Sequence, residues 1–340
     1  MTGPLLLTMG DPAGIGGDVA LAAWSQRAAE PLPVFAMIDD ADRLRALAAR
    51  LGLDVPVVEV ADPAEAAAVF PDALPVLRLA TPLGGPVVPG SPDPANAPAI
   101  IDAIAQAVAL VRDGKALGVV TNPINKQVLH AAGFAHPGHT EYLAALAGGG
   151  TVPVMMLACT EVRVVPVTIH LSLREAIAAL TTEAIVTCGR ITAEGLRRHW
   201  GIAKPRLAVA GLNPHAGEGG DMGREEIDII GPAIDRLKAE GIDAIGPAPA
   251  DTLFHPEARA GYDAALCMVH DHALIPIKTI DFHGGVNVTL GLPFVRTSPD
   301  HGTAYAIAGT GRANPSSLRA ALRMAADMTR NLNDQKPDAS

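Results

Sequence analysis

Basic residues are in short supply. The 340-residue chain has 26 Lys and Arg against 36 Asp and Glu, a formal net charge of −10 with histidine neutral. A field of that sign excludes wholesale binding to nucleic acid or to an anionic membrane surface, so an anionic small molecule must be held by local cations. Cysteine is scarce as well: Cys159, Cys188 and Cys267 lack the spacing of metal ligands and lie in apolar stretches, which predicts packed free thiols in a reducing compartment. Met1 is not followed by a basic segment and a long apolar run, so no secretory leader is expected. Apolar runs such as 152–159 are far too short to cross a bilayer, and a cytoplasmic protein is the expectation. The first strand-to-helix turn, MGDPAGIGGD, is not a GxGxxG fingerprint, so a Rossmann domain is not expected. Internal repeats and low-complexity tracts are also missing.

What is present is a large apolar share, 49% hydrophobic with 18% charged residues, enough to bury a sizeable core and to form two lobes. Strands are predicted at Leu5–Thr8, 34–38 and 55–59, with a helix at Ala41–Leu51 whose Leu44, Leu47 and Leu51 share one face. Asp18 is placed to cap the helix that follows the first strand. Residues 71–98, rich in Pro and Gly, read as an irregular surface connection. A helix over 100–112 and a strand over 117–120 then deliver TNPINK, where Thr121, Asn122, Asn125 and Lys126 stand just past a strand end. Such alternation defines an α/β architecture.

Further on, the pattern concentrates polar groups where a core has no use for them. His139 and Thr140 open a helix, Thr140 as its cap, at an end that favours anions. A strand over 162–169 ends at His170, and a strand at 207–210 runs into the Gly-rich loop 211–226. That loop carries His215, Glu218, Asp221, Glu225 and Glu226, too many acids to cradle a phosphate, and is better suited to a metal or an amine. In the stretch 262–315, short strands at 264–269 and Val286–Leu290 alternate with His270, Asp271, Lys278, Asn287 and Arg296. Imidazole, carboxylate, ammonium, amide and guanidinium at strand ends point to a site for a metal and an anionic ligand. Lys and Arg suit phosphate or carboxylate, Arg as a bidentate fork. His170, His215 and His270 each fall at or just past a strand end, but 45 (215 − 170) and 55 (270 − 215) residues apart, unlike a zinc finger or an HExxH helix. Taken singly, each is more often a hydrogen-bonded structural histidine. Strand alternation would aim His272 to the same face as His270, as a fourth ligand or as a hydrogen-bond donor behind the ligands.

The segment HGTAYAIAGTGRANPSS, residues 301–317, resembles the nucleotide-binding loop of the isocitrate and isopropylmalate dehydrogenase superfamily. The motifs from Met9 to Met328 are similar to the 4-hydroxythreonine-4-phosphate dehydrogenase family of vitamin B6 synthesis. The resemblance implies a two-lobed α/β fold with a cleft, not a Rossmann domain. Residues 1–130 and 286–340 would form an outer lobe with the NAD-binding loop, and 131–285 a central lobe with the metal ligands and dimer interface. It further implies a divalent metal (Zn2+, Mg2+ or Co2+) on His170, His215 and His270, the third supplied by the partner subunit of a homodimer. Substrate would be held by His139, Thr140, Lys278, Asn287 and Arg296, and NAD or NADP by His301, Gly302 and Asn314. The implied reaction oxidises the alcohol of 4-phosphooxy-L-threonine, whose β-keto acid product loses CO2 to give 3-amino-2-oxopropyl phosphate. Asp251 and Asp271 are candidates to orient a ligand histidine or the substrate amine. The proton acceptor would be a water on the metal, Asp251 or Lys278. This chain departs from the family in having Asp11 and Asp18 in place of Glu, and His272 in place of Gln. A dehydrogenase of phosphothreonate or phosphoerythronate remains open, as does a non-redox phosphate-handling enzyme on the same scaffold.

Overall fold

Residues 3–335 are described by a computed structural model. In chain order the strands are β1 (Leu5–Thr8), β2 (Phe35–Asp39), β3 (Val57–Val60), β4 (Leu74–Arg78), β5 (Gly118–Thr121) and β6 (Val154–Ala158). They continue as β7 (Arg163–Pro166), β8 (Arg206–Ala210), β9 (Asp243–Ala248), β10 (Ala264–Cys267), β11 (Val286–Leu290) and β12 (Val295–Pro299). Helices separate most of them, giving the α/β class expected.

The chain divides into two compact units, Met1–Pro153 with Leu292–Asn333, and a second consisting mainly of Val154–Gly291. The change of unit falls after Pro153 and not at 130, because the helix His139–Ala147 packs on the helix Ala97–Arg112 of the first unit.

In the first unit the strand order is β3-β4-β2-β1-β5-β12, and every pair is parallel. That is not the 3-2-1-4-5-6 order of a Rossmann domain. A parallel sheet is covered on both faces, which explains why β1 and β2 are buried at every position. β4 interrupts the stretch expected to be irregular. Pro75 within LPVLR weakens its strand signal, but Leu74, Val76 and Leu77 are buried between β2 and β3. Pro94–Arg112 has a mean hydropathy of 1.4 over a length that could cross a bilayer, unlike the short runs weighed from sequence. Here its apolar positions Ile100, Ile104, Val108 and Val111 recur at helical spacing and pack on β1, β2 and β5. Asp18 does not cap its helix. The helix begins at Gly16, so Asp18 lies inside the first turn, buried, with Oδ1 accepting from Gly309 N at 2.7 Å.

In the second unit the order is β11-β6-β7-β10-β8-β9. β6 is antiparallel to both neighbours, and β7, β10, β8 and β9 run parallel. The three cysteines are free and buried, as expected. After the Gly-rich loop the chain forms a wider helical turn, Glu226–Ile230, followed by the helix Gly231–Ala239. The final helix is Ser316–Asp334, and 336–340 lie outside the described residues.

Ile104 is 1% exposed. Ile104→Ala should lower the unfolding free energy by about 2–5 kcal/mol, read from urea denaturation midpoints; a change below 1 kcal/mol would remove the helix from the core.

Candidate active site

Parallel strands deliver their carboxyl ends to one edge. In the second unit, β7, β10 and β8 are in level register, Pro166 beside Cys267 and Leu266 beside Val209. The residues that follow carry His170, His270 and His215 in that spatial order. The ladder continues past β7 and β10: Val167 N donates to Cys267 O at 2.8 Å, and Thr168 Oγ1 donates to Met268 O at 2.7 Å. These bonds hold two imidazoles together, with ring centroids of His170 and His270 6.2 Å apart. They line a cavity of about 180 Å³ with Thr168, Leu171, Leu173, Ala176, Val269 and Asp271. His270 Nδ1 lies 2.8 Å from Asp271 Oδ1. A carboxylate on one ring nitrogen directs the other nitrogen to a cation, so this pair fits a divalent metal. His170 has φ of 55°, in the left-handed region, where a non-glycine residue marks a constrained position.

His215 is not gathered with them, and among the described residues no group of three His, Cys, Asp or Glu side chains is arranged around one point. The resemblance would draw His270 from a second copy; within one chain it already stands beside His170, and His215 is the outlier. Its side chain is 63% exposed, with Nδ1 3.3 Å from Glu218 Oε1.

The loop that carries His215 is unusual. His215, Ala216, Gly217, Glu218 and Gly219 all have positive φ, a left-handed turn that L-residues resist. Glu226 holds it: Oε1 accepts from the backbone N–H of Leu212 at 2.7 Å and Asn213 at 2.8 Å, and Oε2 from Asn213 Nδ2 at 2.9 Å. Glu225 accepts from the same amide at 2.7 Å. Two of the acids expected to face a metal or amine are therefore turned inward. Burial would raise the Glu226 carboxyl, but its hydrogen bonds from Asn213 and Leu212 outweigh that and hold it below the usual glutamate range.

His270 opens the helix His270–Ile280; it does not end a strand. Residues two apart in a helix are separated by roughly 200°, so His272 does not share a face with His270 as strand alternation implied. It is partly buried, and its Nδ1 has no partner among the described residues. Asp271 and Lys278 are seven residues apart, on one helix face and roughly 10 Å along the axis. Lys278 Nζ lies 5.3 Å from the Phe282 ring centroid. Asn287 lies in β11, paired with Leu157, and Asp251 is exposed on the turn Ala250–Thr252.

The first unit gathers a second cluster by the same geometry. β1, β5 and β12 end level, Thr8 beside Thr121 and Thr297 beside Val120, so MGDPAG, TNPINK and HGTA share an edge. Arg296, in β12, is 3% exposed and donates from Nη2 to Thr121 Oγ1 at 2.6 Å. Burial pushes its guanidinium down to about 10. His139 begins its helix after Gly138, and its Nε2 is buried without a partner among the described residues. Burial first, then the charges of Arg296 and Lys126, push it well below the usual histidine value, so it is neutral. Thr140 does not cap; Gly138 occupies that position and Thr140 sits one residue inside the helix.

In the nucleotide-like loop, His301 Nδ1 lies 3.0 Å from Gly302 O, and Gly302 has open space where a β-carbon would stand. Asn314 Oδ1 accepts from Ser316 N at 2.9 Å and steadies the start of the last helix. Tyr305 was not singled out from sequence. Its hydroxyl donates to Asp11 Oδ2 at 2.7 Å, tying this loop to the first turn, and burial with that bond pushes the phenol up to about 12. Nothing in the spacing of the chain's three tyrosines signals this contact.

These features define an α/β protein with a buried guanidinium beside a neutral imidazole in one unit and paired imidazoles in the other. The family model described as pyridoxal phosphate biosynthetic protein PdxA matches residues 32–325. The 4-hydroxythreonine-4-phosphate dehydrogenase of Methylorubrum extorquens is 57% identical over 328 residues, 95% of this chain and 93% of the relative. That of Caulobacter vibrioides is 56% identical over 328 residues, 95% and 96%. The crystal structure of the Klebsiella pneumoniae 4-hydroxythreonine-4-phosphate dehydrogenase superposes with a TM-score of 0.87 at 37% identity, covering 96% of this chain and all of that one. The chain belongs to the PdxA family, and its fold is the isocitrate/isopropylmalate dehydrogenase-like α/β fold that the resemblance implied.

Because the Glu226 carboxyl lies lower folded than unfolded, it contributes stability above the unfolded glutamate value. That contribution disappears as pH falls through the folded value. Glu226→Gln should cost about 2 kcal/mol at pH 7 and flatten the loss of stability below pH 4.5, followed by denaturant melts across pH. An unchanged acid slope would contradict this role.

Proposed function

We propose that this protein is an NAD(P)-dependent dehydrogenase that oxidises 4-phosphooxy-L-threonine to 2-amino-3-oxo-4-phosphooxybutanoate. Decarboxylation would then give 3-amino-2-oxopropyl phosphate, a step of pyridoxal 5'-phosphate biosynthesis in the cytoplasm. The observation that carries this reading is the match to the PdxA family over 32–325, with near full-length relatives named for that activity. Oxidation moves the carbinol hydride to the nicotinamide and the hydroxyl proton to a base. In the second step the bond to the carboxylate breaks, CO2 leaves, and the electron pair is protonated as an enolate carbon.

His139, Thr140 and Arg296 would hold the phosphate, and Asn287 and Lys278 the rest of the substrate. His301, Gly302 and Asn314 would receive the dinucleotide. A divalent cation (Zn2+, Mg2+ or Co2+) on His170, His215 and His270 would polarise the substrate's hydroxyl and carbonyl. Asp271 would then keep the His270 ring oriented, which leaves Lys278 or Asp251 as the proton acceptor within the chain. Completion of the imidazole set calls for a homodimer with a shared site. Leu171, Leu173, Ile177, Ile275 and Phe282 are large exposed apolar side chains on the segments around His170 and His270, and a second copy would cover them.

NADH formation should be seen with 4-phosphooxy-L-threonine, and at much lower kcat/KM with 4-phosphothreonate or phosphoerythronate, which lack the amine. Turnover of the latter alone would move the protein to that chemistry. Asp271→Asn should weaken divalent metal affinity by about 10–100-fold, measured by competition with a chelating dye on the purified protein. Unaltered affinity would remove Asp271 from the support of a metal.

A further inference from the structure

One cation of the first unit's cluster has no role in the reaction as described so far. Lys126 opens the helix Lys126–Ala131, whose start Asn125 caps by accepting from Gln127 N at 2.9 Å and Val128 N at 3.2 Å. Its side chain runs across to the residue before His139: a β-carbon built on Gly138 would stand 3.0 Å from Lys126 Cε and 3.3 Å from Nζ. Glycine at 138 thus makes room for the ammonium at the start of the helix His139–Ala147. The charges of Lys126 and Arg296 both reach the His139 ring.

We propose that Lys126 binds the phosphate of the substrate, as the second cation beside Arg296, with His139 as a neutral partner between them. The proposal rests on the dehydrogenase reading for the identity of the substrate, but not for the existence of an anion subsite. A phosphate monoester carries a charge of about −1.5 to −2 near neutral pH, so a single buried guanidinium leaves it undercompensated. Arg296 meets two oxygens in a fixed fork; Lys126, a mobile point charge at the rim, neutralises the remainder. Arg296 is enclosed in β12, whereas Lys126 is exposed, which suits a residue that closes on a ligand after it enters. Glu141 Oε2 lies 3.4 Å from the same Gly138 point, so a carboxylate also stands at the rim of this subsite.

The test uses the full-length enzyme and Lys126→Met, a change at an exposed position. KM for 4-phosphooxy-L-threonine should rise about 10–100-fold with kcat within about threefold, and the inhibition constant of inorganic phosphate should rise by a similar factor. Lys126→Arg should restore most of both, and Glu141→Gln should leave KM no higher than wild type. An unchanged phosphate inhibition constant in Lys126→Met would overturn the proposal. So would a rise in KM for NAD+ in place of the substrate, which would give the lysine to the cofactor's pyrophosphate. Direct titration of both proteins with inorganic phosphate by calorimetry separates the two readings. If wild type does not turn over the phosphorylated amino acid yet binds phosphate more tightly than Lys126→Met, the reaction assignment fails and the subsite stands.

Discussion

Parallel pairing in level register is the constraint on which both polar clusters depend. Strand β10 is bonded to β7 on one side and β8 on the other, so three chain segments separated by dozens of residues must end at the same height. The three histidines follow those ends. In the first unit β1, β5 and β12 do the same for Asp11, Asn122 and His301. Side chains need not attract one another for this to happen, since the backbone ladder brings them to the edge and burial of the strands fixes the ladder. Slippage of one strand by a single residue would turn Arg296 from one face of β12 to the other and remove it from Thr121.

Beyond the strand ends the backbone is forced. Three non-glycine residues of the turn at 215–219 sit in left-handed conformation, at roughly 1–2 kcal/mol each, or about 3–6 kcal/mol together. Glu226 offsets this with three hydrogen bonds to a charged acceptor, each contributing about 1.5–3 kcal/mol. The two sums are of the same size, which explains how such a turn persists. A relaxed loop would need neither the strain nor the carboxylate, and strain retained in this way is characteristic of positions with a binding duty. His170 shows it too.

The alternation of strand and helix was legible because short continuous apolar runs, as in β1 and β2, differ from longer runs with a helical period near four. β11 and the helix Ala41–Leu51 fall where periodicity puts them. β4 was not legible, since a proline inside a five-residue strand looks like a turn. The helix at His270 was misread as an extension of β10 because ALCMVHDH remains apolar up to the point where the backbone changes conformation. That error carried His272 to the wrong face. Hydrogen bonds between distant residues leave no local trace: Tyr305 to Asp11 spans 294 positions, and the turn of Glu226 toward Leu212 and Asn213 depends on a loop conformation that glycine spacing alone does not specify. Glycine at 138 is a further case, its meaning visible only once Lys126 lies over it.

The negative charge of the chain and the proposed anion subsite are reconciled by distance. At physiological ionic strength a charge is screened over about 8 Å, so most of the net −10 is not felt inside a pocket lined by nearer groups. Two unit charges at 4 Å interact by about 4 kcal/mol at an effective dielectric of 20, several times the same pair in water. Arg296 lies in the better of these environments, enclosed in a strand, and burial, reinforced by the Arg296 and Lys126 charges, keeps the adjacent imidazole neutral. A protonated His139 would add attraction for a phosphate but would be repelled by its two neighbours in the empty site. The arrangement therefore keeps the ring as a hydrogen-bonding group and leaves the charge to Arg296 and Lys126. An anion entering the proposed subsite would reverse the local potential and make protonation of the ring easier, so the cluster could accept negative charge without holding a buried imidazolium beside Arg296 when none is there.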